Sequence, residues 1–313
     1  MPGESRAIVF NKFEHPNVTQ KGEQRAFVEF TALKTLWFNT GTLCNLACEN
    51  CYIESSPKND TLVYITAAEV REYLAEIKNN NLPTNEIGLT GGEPFMNPDI
   101  IQIMDECLNL NFQLLLLTNA MRPMMKLSEQ FLALKENHGN RLEVRVSVDH
   151  FEKEKHEKER GRRSWQPMLL GLKWLSDQGF NLAVAGRLEF GENESQMRKG
   201  YASLFEKNNI NLNAFDKSRL ILFPEMDEKA EVPEITTGCW DILNLSPDNM
   251  MCASSRMVIK RKGEKDPVIA ACTLLPYDKS FEMGQTLAEA SGPVKLNHPH
   301  CAKFCVLGGG SCS

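Results

Sequence analysis

Leu36-Trp37-Phe38-Asn39-Thr40-Gly41-Thr42-Leu43-Cys44-Asn45-Leu46-Ala47-Cys48-Glu49-Asn50-Cys51-Tyr52 runs from an apolar triplet straight into three cysteines spaced C-x3-C-x2-C. Thiolates are soft ligands, and closely spaced thiolates select zinc or an iron–sulfur cluster over hard cations. Three local ligands are one short of a closed four-ligand site, and an open position is where metal chemistry takes place. A structural zinc knuckle that borrows a fourth ligand from elsewhere is the rival reading. The triplet reads as a buried strand that ends in the cysteine loop.

Outward from that loop the pattern becomes regular. Thr66-Ala67-Ala68-Glu69 is a capping box opening a helix to about Asn79, with Val70, Tyr73, Leu74 and Ile77 on one face. Glu86–Thr90 is a second short strand that runs into Gly91-Gly92-Glu93-Pro94, and Asn97-Pro98-Asp99 starts the next helix. Phe112–Leu117 is a third strand ending at Thr118-Asn119-Ala120, followed by a helix around Leu127–Lys135. Leu142–Val148 is a fourth, ending at Asp149-His150. Trp165–Gln178 and Gln196–Lys207 read as helices, Leu182–Leu188 and Arg219–Phe223 as the fifth and sixth strands. Strand-then-helix units with right-handed crossovers put every strand end on one face of a parallel sheet, where ligands bind. The cysteine loop, Gly-Gly-Glu-Pro, Asn119, Ser147-x-Asp149 and Arg187 all fall there.

The fold expected is a partial (β/α)6 TIM-type barrel with a small cysteine-rich β-hairpin/helix domain behind it. The boundaries expected are an N-terminal arm over residues 1–33, the barrel over 34–228 and the cysteine-rich domain over 229–313.

The joint pattern resembles the radical SAM superfamily. In that family three cysteines hold a 4Fe–4S cluster whose open iron binds the amino and carboxylate groups of S-adenosylmethionine (SAM). The resemblance implies reductive cleavage of SAM at Cys44, Cys48 and Cys51, and a 5′-deoxyadenosyl radical that abstracts a substrate hydrogen. It implies that Gly91, Gly92, Glu93 and Pro94 hold the methionine amino group and that Tyr52 sits beside adenine. Asn119, Ser147 and Asp149 are candidates for the ribose or the methionine carboxylate. Arg187 is a candidate partner of that carboxylate, which its forked guanidinium suits. A polar strand end satisfying local backbone is the rival for each of these. His150, His156 and Arg160 fall beyond the fourth strand and read as loop rather than catalytic. The charge run over 152–163 reads as a solvated loop or helix end.

The C-terminal part carries Cys239, Cys252, Cys272, Cys301, Cys305 and Cys312. Met257–Lys260 and Pro267–Ala270 flank a turn containing Gly263 and read as a hairpin. A hairpin brings its two ends together, so Cys252 and Cys272 come near each other, and Cys301-x3-Cys305 adds a pair on one turn. This resembles the twitch extension, related to the longer SPASM extension, which implies an auxiliary 4Fe–4S cluster on Cys252, Cys272, Cys301 and Cys305. Cys239 or Cys312 is an alternative ligand, and a structural zinc is the rival centre. Gly308-Gly309-Gly310 reads as a flexible tail. Cys107, set in a helix among Ile103, Met104 and Leu108, reads as a small buried hydrophobe.

Composition limits the remaining classes. Charged residues make up 24%, hydrophobic ones 42%, and the net charge is −6, so there is no global basic footprint for nucleic acid. No run approaches the ~20 apolar residues of a membrane helix. Met1 to Arg25 is polar and mixed in charge, with no secretory signal in view, so ten cysteines read as metal or redox sites in a reducing cytoplasm. The activity expected is net oxidation of a small metabolite by a radical SAM oxidoreductase. A maturase modifying a peptide or protein, and a non-catalytic zinc or iron–sulfur protein, are the alternatives. The resemblance also implies an external electron donor such as flavodoxin or ferredoxin.

Overall fold

The computed structural model describes residues 11–188, 191–224 and 231–310. Cys312 and the expected boundary at 228/229 lie outside the described residues.

Six parallel strands follow one another in the sheet: β2 (Thr35–Asn39), β3 (Glu86–Thr90), β4 (Gln113–Thr118), β5 (Leu142–Asp149), β6 (Asn181–Leu188) and β7 (Leu220–Pro224). The strands alternate with α1 (Ala67–Asn79), α2 (Ile100–Asn109), α3 (Arg122–Lys126), α4 (Ser128–His138), α5 (Lys153–Arg160), α6 (Trp165–Asp177) and α7 (Glu194–Lys207). The hairpin strands β8 (Ser255–Ile259) and β9 (Val268–Ala270) extend the sheet from its other edge. β8 pairs parallel with β2, and β9 runs antiparallel to β8. The result is an open eight-stranded sheet, a partial TIM-type barrel that does not close. The described part of the N-terminal arm contributes the strand β1 (Phe27–Val28), paired with β10 (Val294–Lys295). A buried Arg25–Glu234 ion pair at 2.5 Å fastens the arm to the C-terminal part, where the short helix α8 (Cys239–Leu243) follows.

Local chemistry accounts for the element ends. Thr66 and Glu69 cap each other's backbone at the start of α1, and Asn193 and Gln196 do the same for α7. Alternation along the strands divides the core in two. Leu36 and Phe38 join the core between the sheet and α1–α7, whereas Trp37 between them joins a second core with Leu115, Met257 and Ile259. The cysteine-rich segment fills this inner core with Leu274, Leu275, Phe281 and Phe304. Gly88 leaves room for the Trp37 indole, since a Cβ there would lie 2.3 Å from the ring.

Candidate functional site

Strands β3 to β7 deliver their carboxyl ends to one cavity, and the loop after β2 brings the cysteines to it. Cys44, Cys48, Cys51, Tyr52, Gly91, Gly92, Asn119, Ser147, Asp149 and Arg187 all line it. Its volume is about 140 Å³. Among the described residues no three histidine, cysteine or carboxylate side chains are close enough to share one metal ion. The fit to a thiolate-bound group shows instead in what points at the sulfurs. Leu46 N donates to Cys44 Sγ at 3.4 Å and Ser55 N to Cys51 Sγ at 3.3 Å. Such donors favour the thiolate over the thiol. Against them, burial and then the Glu93 carboxylate push the Cys44 thiol up to about 12. A cation at the sulfur would reverse that.

The glycine pair does a specific steric job. Gly92 N donates to Gly41 O and Glu93 N to Leu43 O, so the turn after β3 lies directly on the start of the cysteine loop. A Cβ on Gly92 would stand 2.2 Å from Leu43 O. Gly91 adopts φ +146°, and a Cβ there would lie 2.6 Å from Gly41 O. The close approach is therefore to the cysteine loop's own backbone, while the other side of the pair faces the cavity.

Glu93 and Pro94 lie buried behind this wall rather than on it. Glu93 Oε1 accepts from Thr118 Oγ1 at 2.8 Å and Phe95 N at 3.2 Å, and Oε2 accepts from Asn119 N at 2.9 Å. Burial raises its carboxyl from the ordinary 4.5 to about 7, with the Asn119 and Thr118 bonds opposing. Asn119 in turn donates to Asn45 Oδ1 at 2.9 Å and accepts from Met121 N, coupling the end of β4 to the cysteine loop.

The charge run departs from a purely solvated loop. Lys153 and Glu154 are exposed, but α5 turns Glu159 and Arg160 inward. Glu159 accepts from Asn50 N at 2.9 Å and Asn50 Nδ2 at 2.8 Å, and its carbonyl accepts from Glu49 N. Arg187 Nη1 donates to Asn50 O at 3.1 Å and lies 3.5 Å from Glu159 Oε1. Asp149, in a left-handed conformation with φ 58°, pairs with Arg160 Nε at 2.6 Å and Arg187 Nε at 3.2 Å. Burial raises the Asp149 carboxyl, but the two guanidinium groups outweigh it and hold it below the usual carboxylate range. Glu159 and Arg187 thus grip the segment between Cys48 and Cys51, and Asp149 ties Arg187 to Arg160. Arg187 faces the cavity with its charge already shared.

His150 and His156 are buried off the cavity. His150 stacks on Phe151, and His156 Nδ1 bonds to Val148 O. Burial lowers the pKa of both. Arg145, Arg160, Phe223, Leu274 and Phe304 line the cavity without having been singled out as site residues. For Arg145 the signal was present: with Ser147 and Asp149 it holds every second position of β5, one face of a strand.

The described C-terminal cysteines gather in and against the inner core. Cys252 and Cys301 are buried in it, and Cys239, Cys272 and Cys305 pack against it. Burial pushes the Cys301 thiol well up, and Cys272 and Cys252 add to the shift, which marks the three as neighbours. Cys301 and Cys305 share a wide π-helical turn, Cys301–Leu307, which also sends Phe304 into the cavity. Cys107 is fully buried within α2.

The model of the radical SAM superfamily matches residues 38–199. The chain belongs to the radical SAM superfamily. Its enzymes use a 4Fe–4S cluster and SAM. A curated relative is the antilisterial bacteriocin subtilosin biosynthesis protein AlbA of Bacillus subtilis (strain 168), 31% identical over 143 residues, 45% of this chain and 30% of AlbA. Among solved structures, SuiB of Streptococcus suis bound to S-adenosylmethionine is similar over 82% of this chain and 64% of its own, with TM-score 0.58 and 12% identity. SuiB is also known bound to its precursor peptide SuiA, with TM-score 0.55. The structure of anSMEcpe with bound AdoMet matches over 82% and 79%, with TM-score 0.58 and 15% identity. The chain spans less than a third of AlbA and under two thirds of SuiB, and the structural likenesses concern the fold. No helix among the described residues is long and apolar enough to cross a membrane.

Proposed function

We propose that this chain is a radical SAM maturase acting on a peptide or protein. The observation that supports it most is the mixed lining of the cavity, where the polar Asn119, Ser147, Asp149, Arg160 and Arg187 are joined by the apolar Ile53, Leu117, Ala185, Phe223, Leu274 and Phe304. Such apolar lining gains ~25 cal/mol per Å² by burying a hydrocarbon side chain. A small polar metabolite would leave hydroxyls or amines without partners there. AlbA, a bacteriocin biosynthesis protein, and SuiB, known bound to a precursor peptide, favour this choice over oxidation of a small metabolite.

On this reading Cys44, Cys48 and Cys51 hold the cluster, and with SAM it supplies one-electron cleavage and a carbon radical that takes a substrate hydrogen. Gly91 and Gly92 offer backbone to the methionine end, with Glu93 and Pro94 fixing their turn from behind. Asn119, Ser147 and Asp149 offer polar atoms to the ribose or carboxylate, Tyr52 a ring to the adenine. Arg187 serves the carboxylate with the donors it does not spend on Asp149 and Asn50. Leu274 and Phe304, in the apolar lining, exclude water. Cys252, Cys272, Cys301 and Cys305 would hold an auxiliary cluster, which would supply one-electron redox chemistry there. The division into arm, barrel (34–228) and cysteine-rich extension (229–313), a cytoplasmic setting and an external electron donor belong to the same reading.

The test is anaerobic incubation of the reconstituted chain with SAM, dithionite and candidate peptides, reading 5′-deoxyadenosine and peptide mass. The expected result is peptide-stimulated 5′-deoxyadenosine with loss of two hydrogen atoms from the peptide. Stimulation by small metabolites and by no peptide would return the reaction to metabolite oxidation. No 5′-deoxyadenosine under any condition would leave a non-catalytic metal protein.

A further inference from the structure

Arg256, on β8, is 1% exposed. Its guanidinium donates to four main-chain carbonyls: Cys252 at 2.6 Å, Ser255 at 2.7 Å, Ala290 at 2.8 Å and Gly292 at 2.9 Å. Its flat face lies 4.3 Å from the Phe30 ring. Among the described residues no carboxylate pairs with it, whereas the buried Arg25 has Glu234, and Arg160 and Arg187 have Asp149. Four carbonyls satisfy the donors but supply no net charge. A buried cation without a counter-charge costs several kcal/mol even after relaxation.

The groups at hand to supply that charge are sulfurs. Arg256 bonds the carbonyl of Cys252 itself, and its charge acts on both Cys252 and Cys272. Those two cysteines neighbour Cys301. As thiols they are neutral. As metal ligands they are thiolates, and four thiolates on an iron–sulfur cubane leave the centre net negative. We propose that Arg256 is the built-in counter-ion of an anionic, thiolate-ligated iron–sulfur centre on Cys252, Cys272, Cys301 and Cys305, and that it raises the centre's reduction potential. The proposal rests on the auxiliary-cluster reading above. Reduction adds one electron and one negative charge to the centre, so a fixed cation beside it favours the reduced form.

The experiment uses the full-length Cys44/Cys48/Cys51→Ala chain, in which only the C-terminal centre remains, reconstituted anaerobically and titrated with dithionite under EPR. Two further substitutions separate charge from hydrogen bonding. Arg256→Gln removes the charge and keeps two donors for the four carbonyls; Arg256→Lys keeps the charge with three donors. The Gln variant is expected to retain iron with a midpoint at least 59 mV more negative, a tenfold change in the oxidised-to-reduced ratio of a one-electron couple. The Lys variant is expected to hold the parent midpoint. Iron retained with an unchanged midpoint in Arg256→Gln overturns the proposal. So does an equal fall in both variants, which would make hydrogen bonding the cause. If Arg256→Gln does not fold, the Lys variant decides: a parent midpoint supports the charge role, and a fall overturns it. Absence of iron from the triple variant before Arg256 is touched would instead remove the auxiliary-cluster reading.

Discussion

Cys44, Cys48 and Cys51 stand on the wall of an open cavity, whereas Cys252 and Cys301 are enclosed in an apolar core with Cys272 and Cys305 at its edge. Around the first set the chain balances its own charges: Asp149 and Glu159 face Arg160 and Arg187. Around the second, one cation, Arg256, has no acid partner among the described residues and bonds only to main-chain carbonyls. A neutral network holds its shape whether or not a cofactor is bound. A lone buried cation does not, until something negative joins it. On the proposed reading the first site would receive and release ligands, and the second would be completed once.

The sharpest way to break this contrast is a pair of substitutions. Cys48→Ala is expected to reduce 5′-deoxyadenosine formation to background while barely moving thermal stability. Cys301→Ala is expected to leave SAM cleavage measurable and to lower stability by about 3–5 kcal/mol, the cost of stranding a buried charge. Retained SAM cleavage in Cys48→Ala would end the assignment of the first cluster, and full stability in Cys301→Ala would end the contrast.

Glu93 tests the neutrality of the first site. Its carboxyl is raised by burial from 4.5 to about 7. A raised acid contributes stability that is complete below pH 4.5 and lost as pH rises through about 7, here about 3 kcal/mol. His150 and His156 are lowered and act in the opposite sense, as stability lost when pH falls. The difference between the wild type and Glu93→Gln isolates the carboxyl. In metal-free chain the Gln variant should gain relative stability from pH 4.5 to 7.5 in denaturant titrations. A difference that does not change with pH would mean that Glu93 stays ionised in its pocket.

The alternation of strand and helix was legible because parallel strands buried on both faces read as apolar runs, and because Thr66/Glu69 announces its helix. The same alternation located Asn119, Ser147 and Arg187 at strand ends facing one cavity. What the sequence did not disclose was partnership across distance. Nothing in Glu157-Lys158-Glu159-Arg160 says which two of its charges turn inward; that depends on α5 lying against Asn50. The glycine pair was read as room for a ligand, yet its tightest neighbour is Leu43 O. The hairpin was legible from turn chemistry, but its parallel pairing with β2 joins residues more than two hundred positions apart. Phe304 looked like spacing between two cysteines, and its side chain forms part of the cavity wall.

Glu159→Gln is the finest test of the comparison, because it changes one atom of the grip on the cysteine loop. Both carboxylate oxygens accept from Asn50, one from its main-chain N–H and one from its side-chain amide. An amide can satisfy only one of these and sets its own NH2 against the other. The ion pair with Arg187 is lost at the same time. One unsatisfied buried donor costs about 1–3 kcal/mol, and here the cost falls on the segment between Cys48 and Cys51. Iron at the first site should then reconstitute to lower occupancy, and SAM should bind more weakly. Iron on the C-terminal cysteines should stay at its wild-type level, because no bond of Glu159 reaches them. Equal losses at both sites would mean that Glu159 supports the fold as a whole and that the two sites are not separately built.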